Sequence, residues 1–260
     1  MKFGVVVFAP HEICDFAGTP DGAEACVASC ARRTLGGGTL MPRLTFEREL
    51  ASLRESLVRM GTLVESQIEA ALDALRRRDG AAAEKVRNQD QYLNELFRQI
   101  REQVFMVIST QQPVARDLRY LMGLQYIATE LERMGDYAVR IARMTSTLVA
   151  LPDRPLRAEF GLMGELAIGQ VHDILEAIID QNVPRAREVA GRDNEVDRLW
   201  HRVFEDLVKE MGNGKTDTDG ALRAVTLLLV AHNLERISDR VTNVAEDIVF
   251  LETGQVVELG

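Results

Sequence analysis

The sequence predicts an all-α protein made of two tandem antiparallel three-helix bundles that are related by internal duplication. Three observations lead to this fold class. The composition is poor in aromatic residues (5%) and has only 7 prolines in 260 residues, which is typical of helical proteins. Apolar residues recur every three or four positions. The second half also repeats the first at a constant offset of 103 residues, which marks two copies of one supersecondary unit.

Short matching segments and single residues carry the duplication. Residues 60–63 recur as 163–166, and residues 128–133 recur as 231–236. Further positions recur one residue at a time: Gln67 as Gln170, Asp90 as Asp193, Leu96 as Leu199, Asp136 as Asp239 and Ala142 as Ala245. Several of these positions are acidic. Because core packing alone does not require carboxylates, these positions are candidates for a function.

The chain divides into an N-terminal extension at 1–40, a first three-helix repeat at 41–151 and a second at 152–260. The extension lies outside the repeat and contains Gly36-Gly37-Gly38 without a helical period, so we expect it to be non-native or disordered. Our hypothesis is that Met41 is the true start, because glycine codons begin with GG and resemble a ribosome-binding sequence at that distance. The alternative is a translated, poorly ordered extension, and N-terminal peptide mass spectrometry distinguishes the two.

Three helices are expected in the first repeat. The first covers about 44–78 and ends at Asp79-Gly80. Its apolar positions form one stripe: Leu50, Leu53, Leu57, Met60, Val64, Ile68, Leu72 and Leu75. The second covers about 81–109. The third opens at Pro113, a residue suited to a first helical turn, and runs to about 149.

The second repeat follows the same plan after Pro152 and Pro155, which mark the boundary between the repeats. Its helices are expected at about 156–180, 184–211 and 218–251. Long helices joined by short connections favour antiparallel neighbours.

Composition excludes several classes of protein. The net charge of -9 argues against nucleic-acid binding by neutralisation of phosphates. No apolar run of membrane-spanning length is present, and we expect a cytoplasmic protein. The three cysteines lie at positions 14, 26 and 30, outside the repeats, so neither a disulfide framework nor a zinc-thiolate site is expected.

Acidic residues at i, i+4 spacing form the candidate site of each repeat. The pairs are Asp90 with Asn94, Glu132 with Asp136, Asp193 with Asp197 and Glu235 with Asp239. Residues four apart share one helix face, where two like charges repel by a few tenths of a kcal/mol unless a cation lies between them. Because the second and third helices of a bundle are neighbours, each repeat can assemble an oxygen-rich patch suited to hard or borderline cations.

Other interpretations of these residues stay open. The carboxylates can form a solvated helix face that Arg133 and Arg236 neutralise. His232 lies one turn before Glu235 and can join the site, although Thr129 replaces it in the other repeat. No nucleophilic triad or phosphate-binding glycine loop is present, and the Glu-x-x-His pairs of di-iron centres are absent.

Three segments resemble the PhoU family of phosphate-transport accessory and regulatory proteins: residues 111–119 (QQPVARDLR), 131–136 (LERMGD) and 233–247 (NLERISDRVTNVAED). The resemblance covers the chain from Met41 onward. It implies two three-helix bundles, a homodimer, and metal clusters at the carboxylate pairs. The implied metals are divalent or trivalent ions, with iron or zinc first and magnesium or manganese as alternatives.

The resemblance also implies a function without catalysis. Such a protein represses the phosphate-starvation response when phosphate is ample. It couples the ATP-binding subunit of a high-affinity phosphate transporter to a sensor histidine kinase, is peripheral to the membrane through these partners only, and binds no nucleic acid. The alternatives are a metal-dependent phosphoester hydrolase or metal-storage protein using the same carboxylates, and a paralogue tied to another transporter.

The two repeats depart from each other at three positions near the pairs. Asn94 stands where the second repeat has Asp197, which predicts a weaker metal site in the first repeat. Tyr137 is the counterpart of Arg240 at the repeat offset, and Arg140 is the counterpart of Asn243.

Overall fold

The computed structural model describes residues 40–213 and 216–260, with side chains described from residue 44 onward. Within these ranges the chain is helical and has no strand, as the sequence predicts. The helices are α1 Leu40–Arg77, α2 Gly80–Gln111, α3 Arg116–Val149, α4 Ala158–Asp180, α5 Val183–Ala190, α6 Asp193–Gly212 and α7 Thr218–Thr253. The expectations for residues 1–39, including the cysteines, lie outside the described residues.

The fifth predicted helix is divided, which is the main departure from the expected six-helix plan. α5 ends at Ala190, and α6 begins at Asp193 after a turn at Gly191 and Arg192. Glycine disfavours a helix interior, and its counterpart in the unbroken α2 is Asn88. The Arg192 guanidinium also binds the Asp173 carboxylate on α4, which holds the turn in place.

The third predicted helix starts later than expected. Gln112 adopts the left-handed conformation with φ 47° and closes α2 by donating its backbone N–H to the Ile108 carbonyl. Ala115 also has positive φ, at 48°. Pro113 therefore lies in the connection between two residues that leave the helical region, and α3 starts at Arg116.

The helix starts follow the duplication. The Asp79 carboxylate accepts from the Ala82 backbone N–H at 2.9 Å and caps α2. Its counterpart at the repeat offset, Asn182, accepts from the Arg185 backbone N–H at 3.0 Å and caps α5. Such caps satisfy backbone donors that have no partner inside the helix.

The two repeats pack through reciprocal contacts between α1 and α4. A Cβ on Gly61 would lie 2.1 Å from Leu175 Cδ2, and one on Gly164 would lie 2.7 Å from Leu72 Cδ1. Gly61 and Gly164 are counterparts at the repeat offset, as are Leu72 and Leu175. Each repeat thus inserts a leucine where the other has a glycine, and the two halves are related by an approximate two-fold axis.

The most buried helices are α3 and α7, which pack against each other across the repeat boundary, while α2 packs on α3 and α6 on α7. This arrangement places the helices that carry the acidic pairs side by side, α2 beside α3 in the first repeat and α6 beside α7 in the second. In the described part of the chain, no helix combines the length and the apolar character needed to cross a bilayer.

Candidate metal centre

Three carboxylates of the second repeat meet between α6 and α7. Asp193, Asp197 and Asp239 each offer one oxygen, and these oxygens lie within 4.8 Å of one another. Asp193 is the first residue of α6, because the helix break directly precedes it. Asp197 follows one turn later on the same face. All three side chains are partly buried.

This arrangement fits a cation. Two oxygens on opposite sides of an ion such as Ca²⁺, at about 2.3–2.6 Å from it, lie about 5 Å apart at most. Asp193 Oδ1 is buried and has no hydrogen-bond donor among the described residues. A buried acceptor without a partner costs about 1–3 kcal/mol, and a cation between the three aspartates would satisfy this oxygen.

Glu235, the fourth predicted ligand, is turned toward an arginine. Arg236 Nε donates to Glu235 Oε2 at 2.7 Å, and Arg236 Nη2 lies 2.9 Å from Asp239 Oδ2. The side chain of His232 lies beside the same glutamate, with Nδ1 3.4 Å from Glu235 Oε2. Arg236 therefore neutralises part of the negative charge of Glu235 and Asp239, while Asp193, Asp197 and Asp239 still form a carboxylate cluster.

Burial and crowding of like charges make the second cluster electrostatically unfavourable without a cation. Burial and the neighbouring Glu235 carboxylate raise the pKa of Asp239 to about 6. Burial, and then the charges of Asp193 and Glu235, raise the pKa of Asp197. A bound cation would reverse these shifts, because it stabilises the ionised form of every carboxylate around it.

The matching aspartate of the first repeat is already hydrogen-bonded at both oxygens. Asn94 Nδ2 donates to Asp90 Oδ2 at 2.9 Å, and Gln67 Nε2 donates to Asp90 Oδ1 at 3.3 Å. The counterpart of Gln67 is Gln170, which instead accepts from Ser238 Oγ at 2.8 Å. The hydrogen bond that the Gln67 amide donates to Asp90 therefore has no equivalent in the second cluster.

Glu132 and Asp136 share one electrostatic environment with Asp90. Burial, and then the charges of Asp136 and Asp90, raise the pKa of Glu132. Burial and Asp90 raise the pKa of Asp136. The described residues of the first repeat contain no group of three carboxylates as close as that of the second, and Arg133 binds Glu130 at 2.8 Å instead of Glu132.

A further polar cluster lies between α3 and α7. Its residues do not belong to the i, i+4 pairs identified in the sequence. Glu130 is only 8% exposed, and its Oε2 accepts from Arg240 Nη1 at 3.1 Å and from Asn243 Nδ2 at 3.0 Å. One turn further along α7, burial and the charges of Glu130 and Glu246 raise the pKa of Asp247 to about 7. This cluster joins the two repeats rather than lining the predicted metal site.

The chain matches the PhoU domain family model twice, over residues 57–145 and 160–248. The Phosphate-specific transport system accessory protein PhoU homolog of Clostridium acetobutylicum is 36% identical over 220 residues, which span 84% of this chain and 99% of that protein. The homolog of the same name from Caulobacter vibrioides is 38% identical over 214 residues, or 81% of this chain and 91% of that protein.

Solved structures agree with these matches. The crystal structure of the phosphate transport system regulatory protein PhoU from Streptococcus pneumoniae has a TM-score of 0.75 and 27% identity, and covers 82% of this chain and all of that chain (100%). The crystal structure of PhoU from Pseudomonas aeruginosa has a TM-score of 0.76 and 31% identity, with coverage of 81% and 100%. Two family domains, relatives along nearly their whole length and the shared fold together show that this chain belongs to the PhoU family.

Proposed function

We propose that this protein is an accessory regulator of phosphate uptake that represses the phosphate-starvation response when phosphate is ample. It would do so in the cytoplasm as a homodimer that contacts the ATP-binding subunit of a high-affinity phosphate transporter and a sensor histidine kinase. The observation that carries the proposal is the double family match, together with relatives that are named accessory proteins of phosphate transport.

The helical architecture supports binding rather than catalysis as the means of regulation. Long packed helices offer extended rigid surfaces to partners. A regulator of this kind acts by binding one state of its partners more tightly than another, which shifts their equilibrium toward that state.

A cation at Asp193, Asp197 and Asp239 would lock α6 to α7. The site joins the start of one helix to the middle of the other, so the ion would fix the surface that these two helices present. We propose that the metal supports partner binding by holding this geometry. A carboxylate-only set favours hard ions such as magnesium or manganese, while iron or zinc is the expectation from the family resemblance.

The test is alkaline phosphatase activity in phosphate-replete cells of the source organism, with this gene deleted and then restored. Deletion is expected to raise the activity strongly despite ample phosphate, and the wild-type gene is expected to restore repression. Unchanged activity in the deletion strain, with no second copy of the gene present, would refute the repressor role.

Variants in the same strain test the part played by the metal. Replacement of Asp193, Asp197 and Asp239 by asparagine is expected to abolish repression at equal protein level. The matched control is Asp180→Asn, which removes an exposed carboxylate at the end of α4. Full repression by the triple variant would show that regulation does not depend on this centre.

The clustered aspartates also favour a second candidate, a metal-dependent phosphoester hydrolase, because a bound ion can activate water. This candidate predicts phosphoester turnover by the purified protein loaded with Mn²⁺ or Zn²⁺, and loss of that turnover in Asp239→Asn. No turnover across a broad phosphoester panel would eliminate it.

A further inference from the structure

A cleft rich in arginine lies where the two repeats are joined. Its volume is about 220 Å³, and its walls come from the end of α1, the connection between α3 and α4, and the start of α7. Five arginines line it: Arg76, Arg77, Arg78, Arg154 and Arg223. The cleft is large compared with the roughly 30 Å³ that one water occupies in the liquid, so it has room for a small solute.

Two of these guanidinium groups are held in place by backbone carbonyls. Arg223 is only 8% exposed, and its Nη2 donates to the Arg154 carbonyl at 2.7 Å and to the Pro155 carbonyl at 3.3 Å. Arg78 Nη2 donates to the carbonyls of Leu148 and Leu151, each at 2.7 Å. Because an arginine has five N–H donors, both side chains keep donors beyond those that anchor them.

Positive charge in the cleft exceeds the negative charge that the surrounding residues supply. Asp153, the one carboxylate among the lining residues described, lies 3.4 Å from Arg78 Nε. Asp73 on α1 serves both Arg76 and Arg77. Within the described ranges, neither Arg154 nor Arg223 forms an ion pair. Burial lowers the pKa of the Arg223 guanidinium, and the charges of Arg78 and Arg154 lower it further, while Asp153 and Glu210 oppose this shift only in part.

The duplication has neutral side chains at the counterparts of Arg78 and Arg223. At the repeat offset, the counterpart of Arg78 is Gln181 and the counterpart of Arg223 is Tyr120. At the equivalent place Gln181 Nε2 donates to the Tyr120 hydroxyl at 3.3 Å. Arg54 Nε donates to the same hydroxyl at 2.5 Å, and its guanidinium lies over the Tyr120 ring. The same two repeat positions are thus filled by neutral side chains elsewhere in the molecule, with one arginine, Arg54, beside them. The buried positive charge of Arg223, next to that of Arg78, calls for another explanation.

We propose that this cleft binds a small multivalent oxyanion of the phosphate class. The planar guanidinium group matches the oxygens of a tetrahedral anion with two parallel N–H donors, and charge-assisted hydrogen bonds of this kind are about twice as strong as neutral ones. A bound dianion would neutralise the surplus charge around Arg223 and accept its remaining hydrogen bonds. This site is separate from the carboxylate centre and does not depend on the regulatory function proposed above.

Isothermal titration calorimetry of the full chain with inorganic phosphate tests the proposal, with chloride at equal ionic strength as the reference. The wild-type protein is expected to bind phosphate and not chloride. Arg78→Gln and Arg223→Tyr introduce the side chains that the other repeat has at these places. Each is expected to weaken binding about 10-fold or more, since a hydrogen bond to a charged group contributes about 1.5–3 kcal/mol.

Two further variants keep the result interpretable. Arg154→Gln removes an exposed arginine of the cleft, so it can lower affinity without disturbing the core. Arg101→Gln removes an exposed arginine far along α2 and is expected to leave affinity unchanged. The proposal is overturned if the wild-type protein binds no phosphate, or if Arg101→Gln lowers affinity as much as the cleft variants do.

A parallel titration with AMP identifies the source of the anion. Binding of phosphate but not of AMP would assign a site for the free ion. Binding of AMP as tight as that of phosphate, and equally sensitive to Arg223→Tyr, would assign a site for the phosphate group of a larger molecule.

Discussion

The two carboxylate clusters occupy the same repeat positions, yet they differ in what surrounds their first aspartate. Asp90 lies in the middle of an unbroken helix and accepts hydrogen bonds from two side-chain amides. Asp193 begins a helix and has one buried oxygen without a donor. Amide donors satisfy a carboxylate without an ion, whereas an unsatisfied carboxylate cluster attracts one. Equivalent positions in a duplicated fold therefore need not form equivalent sites.

The largest effect is expected where ligands are removed from the second cluster. The double variant Asp193→Asn with Asp239→Asn should weaken Mn²⁺ binding about 100-fold or more, since loss of an outer hydrogen-bonding partner alone costs about 10- to 100-fold. Titration of free Mn²⁺ by electron paramagnetic resonance measures this change. The matched variant Asp90→Asn with Asp136→Asn should change the affinity of the tighter site little. An equal loss in both would show that the clusters are equivalent.

The next effect concerns Asp247, whose counterpart in the first repeat is the apolar Met144. With a pKa raised to about 7 by burial and by Glu130 and Glu246, ionised Asp247 is disfavoured in the folded state. The stability that protonated Asp247 contributes is therefore fully present below pH 3.8, the ordinary pKa of an aspartate. It is lost as the pH rises through about 7. Asp247→Asn removes this loss.

Urea unfolding of both proteins measures the effect. The stability gained by Asp247→Asn should be about 2 kcal/mol larger near pH 8 than near pH 5, given about 1.4 kcal/mol for each pKa unit. Other titrating groups are common to both proteins and cancel in the difference. A gain that is the same at both pH values would mean that Asp247 ionises normally in the folded protein.

A single substitution should bring the first cluster closer to the second. Asn94→Asp supplies the carboxylate that Asp197 provides in the other repeat. It also removes the hydrogen bond that the Asn94 amide donates to Asp90. We expect the affinity of the weaker Mn²⁺ site to rise about 10-fold, because the variant adds one charged ligand oxygen to the site. The same titration in a background lacking the second cluster isolates this site, and an unchanged affinity would point to the Gln67 bond as the remaining obstacle.

The smallest effect tests the packing beneath the clusters. A Cβ on Gly135 would lie 2.1 Å from Leu93 Cδ2, whereas the counterparts in the second repeat are Ser238 and the shorter Val196. Gly135→Ser should lower the free energy of unfolding by about 1 kcal/mol or more through overpacking. Adding Leu93→Val should recover part of that loss, which a thermal double-mutant cycle measures. Additive losses would rule out the proposed compensation.

Much of this fold follows from local pattern. The stripe from Leu50 to Leu75 predicts a helix because burial of one face repeats with the helical period, and the offset pairs predict the duplication. The i, i+4 carboxylates are likewise predictable, since one helix face presents them together. The approach of α6 to α7 then follows from the bundle.

Other features depend on contacts between distant residues. The break before Asp193 coincides with Gly191 and with the Arg192 contact to Asp173, and the late start of α3 coincides with the positive φ of Gln112 and Ala115. Neither is visible in hydrophobic periodicity, which predicts a continuous fifth helix and a third helix that starts at Pro113.

The Glu130 cluster leaves a fainter signal in the sequence. Its partners Arg240 and Asn243 stand where the first repeat has Tyr137 and Arg140, while Glu130 itself stands where the second repeat has Asn233. These departures from the duplication become complementary charges only when α3 and α7 are known to face each other. A comparison of the repeats alone shows the differences but not the pairing.

The glycine-leucine exchange between α1 and α4 has the contact scheme of an isologous homodimer, because position 61 meets 175 and position 164 meets 72. One repeat therefore carries both halves of the interface. The connection between the repeats also acts as a tether, which raises the effective concentration of one half near the other. A backbone cut within that connection is accordingly expected to yield two fragments that reassociate, as two subunits descended from one ancestral unit would.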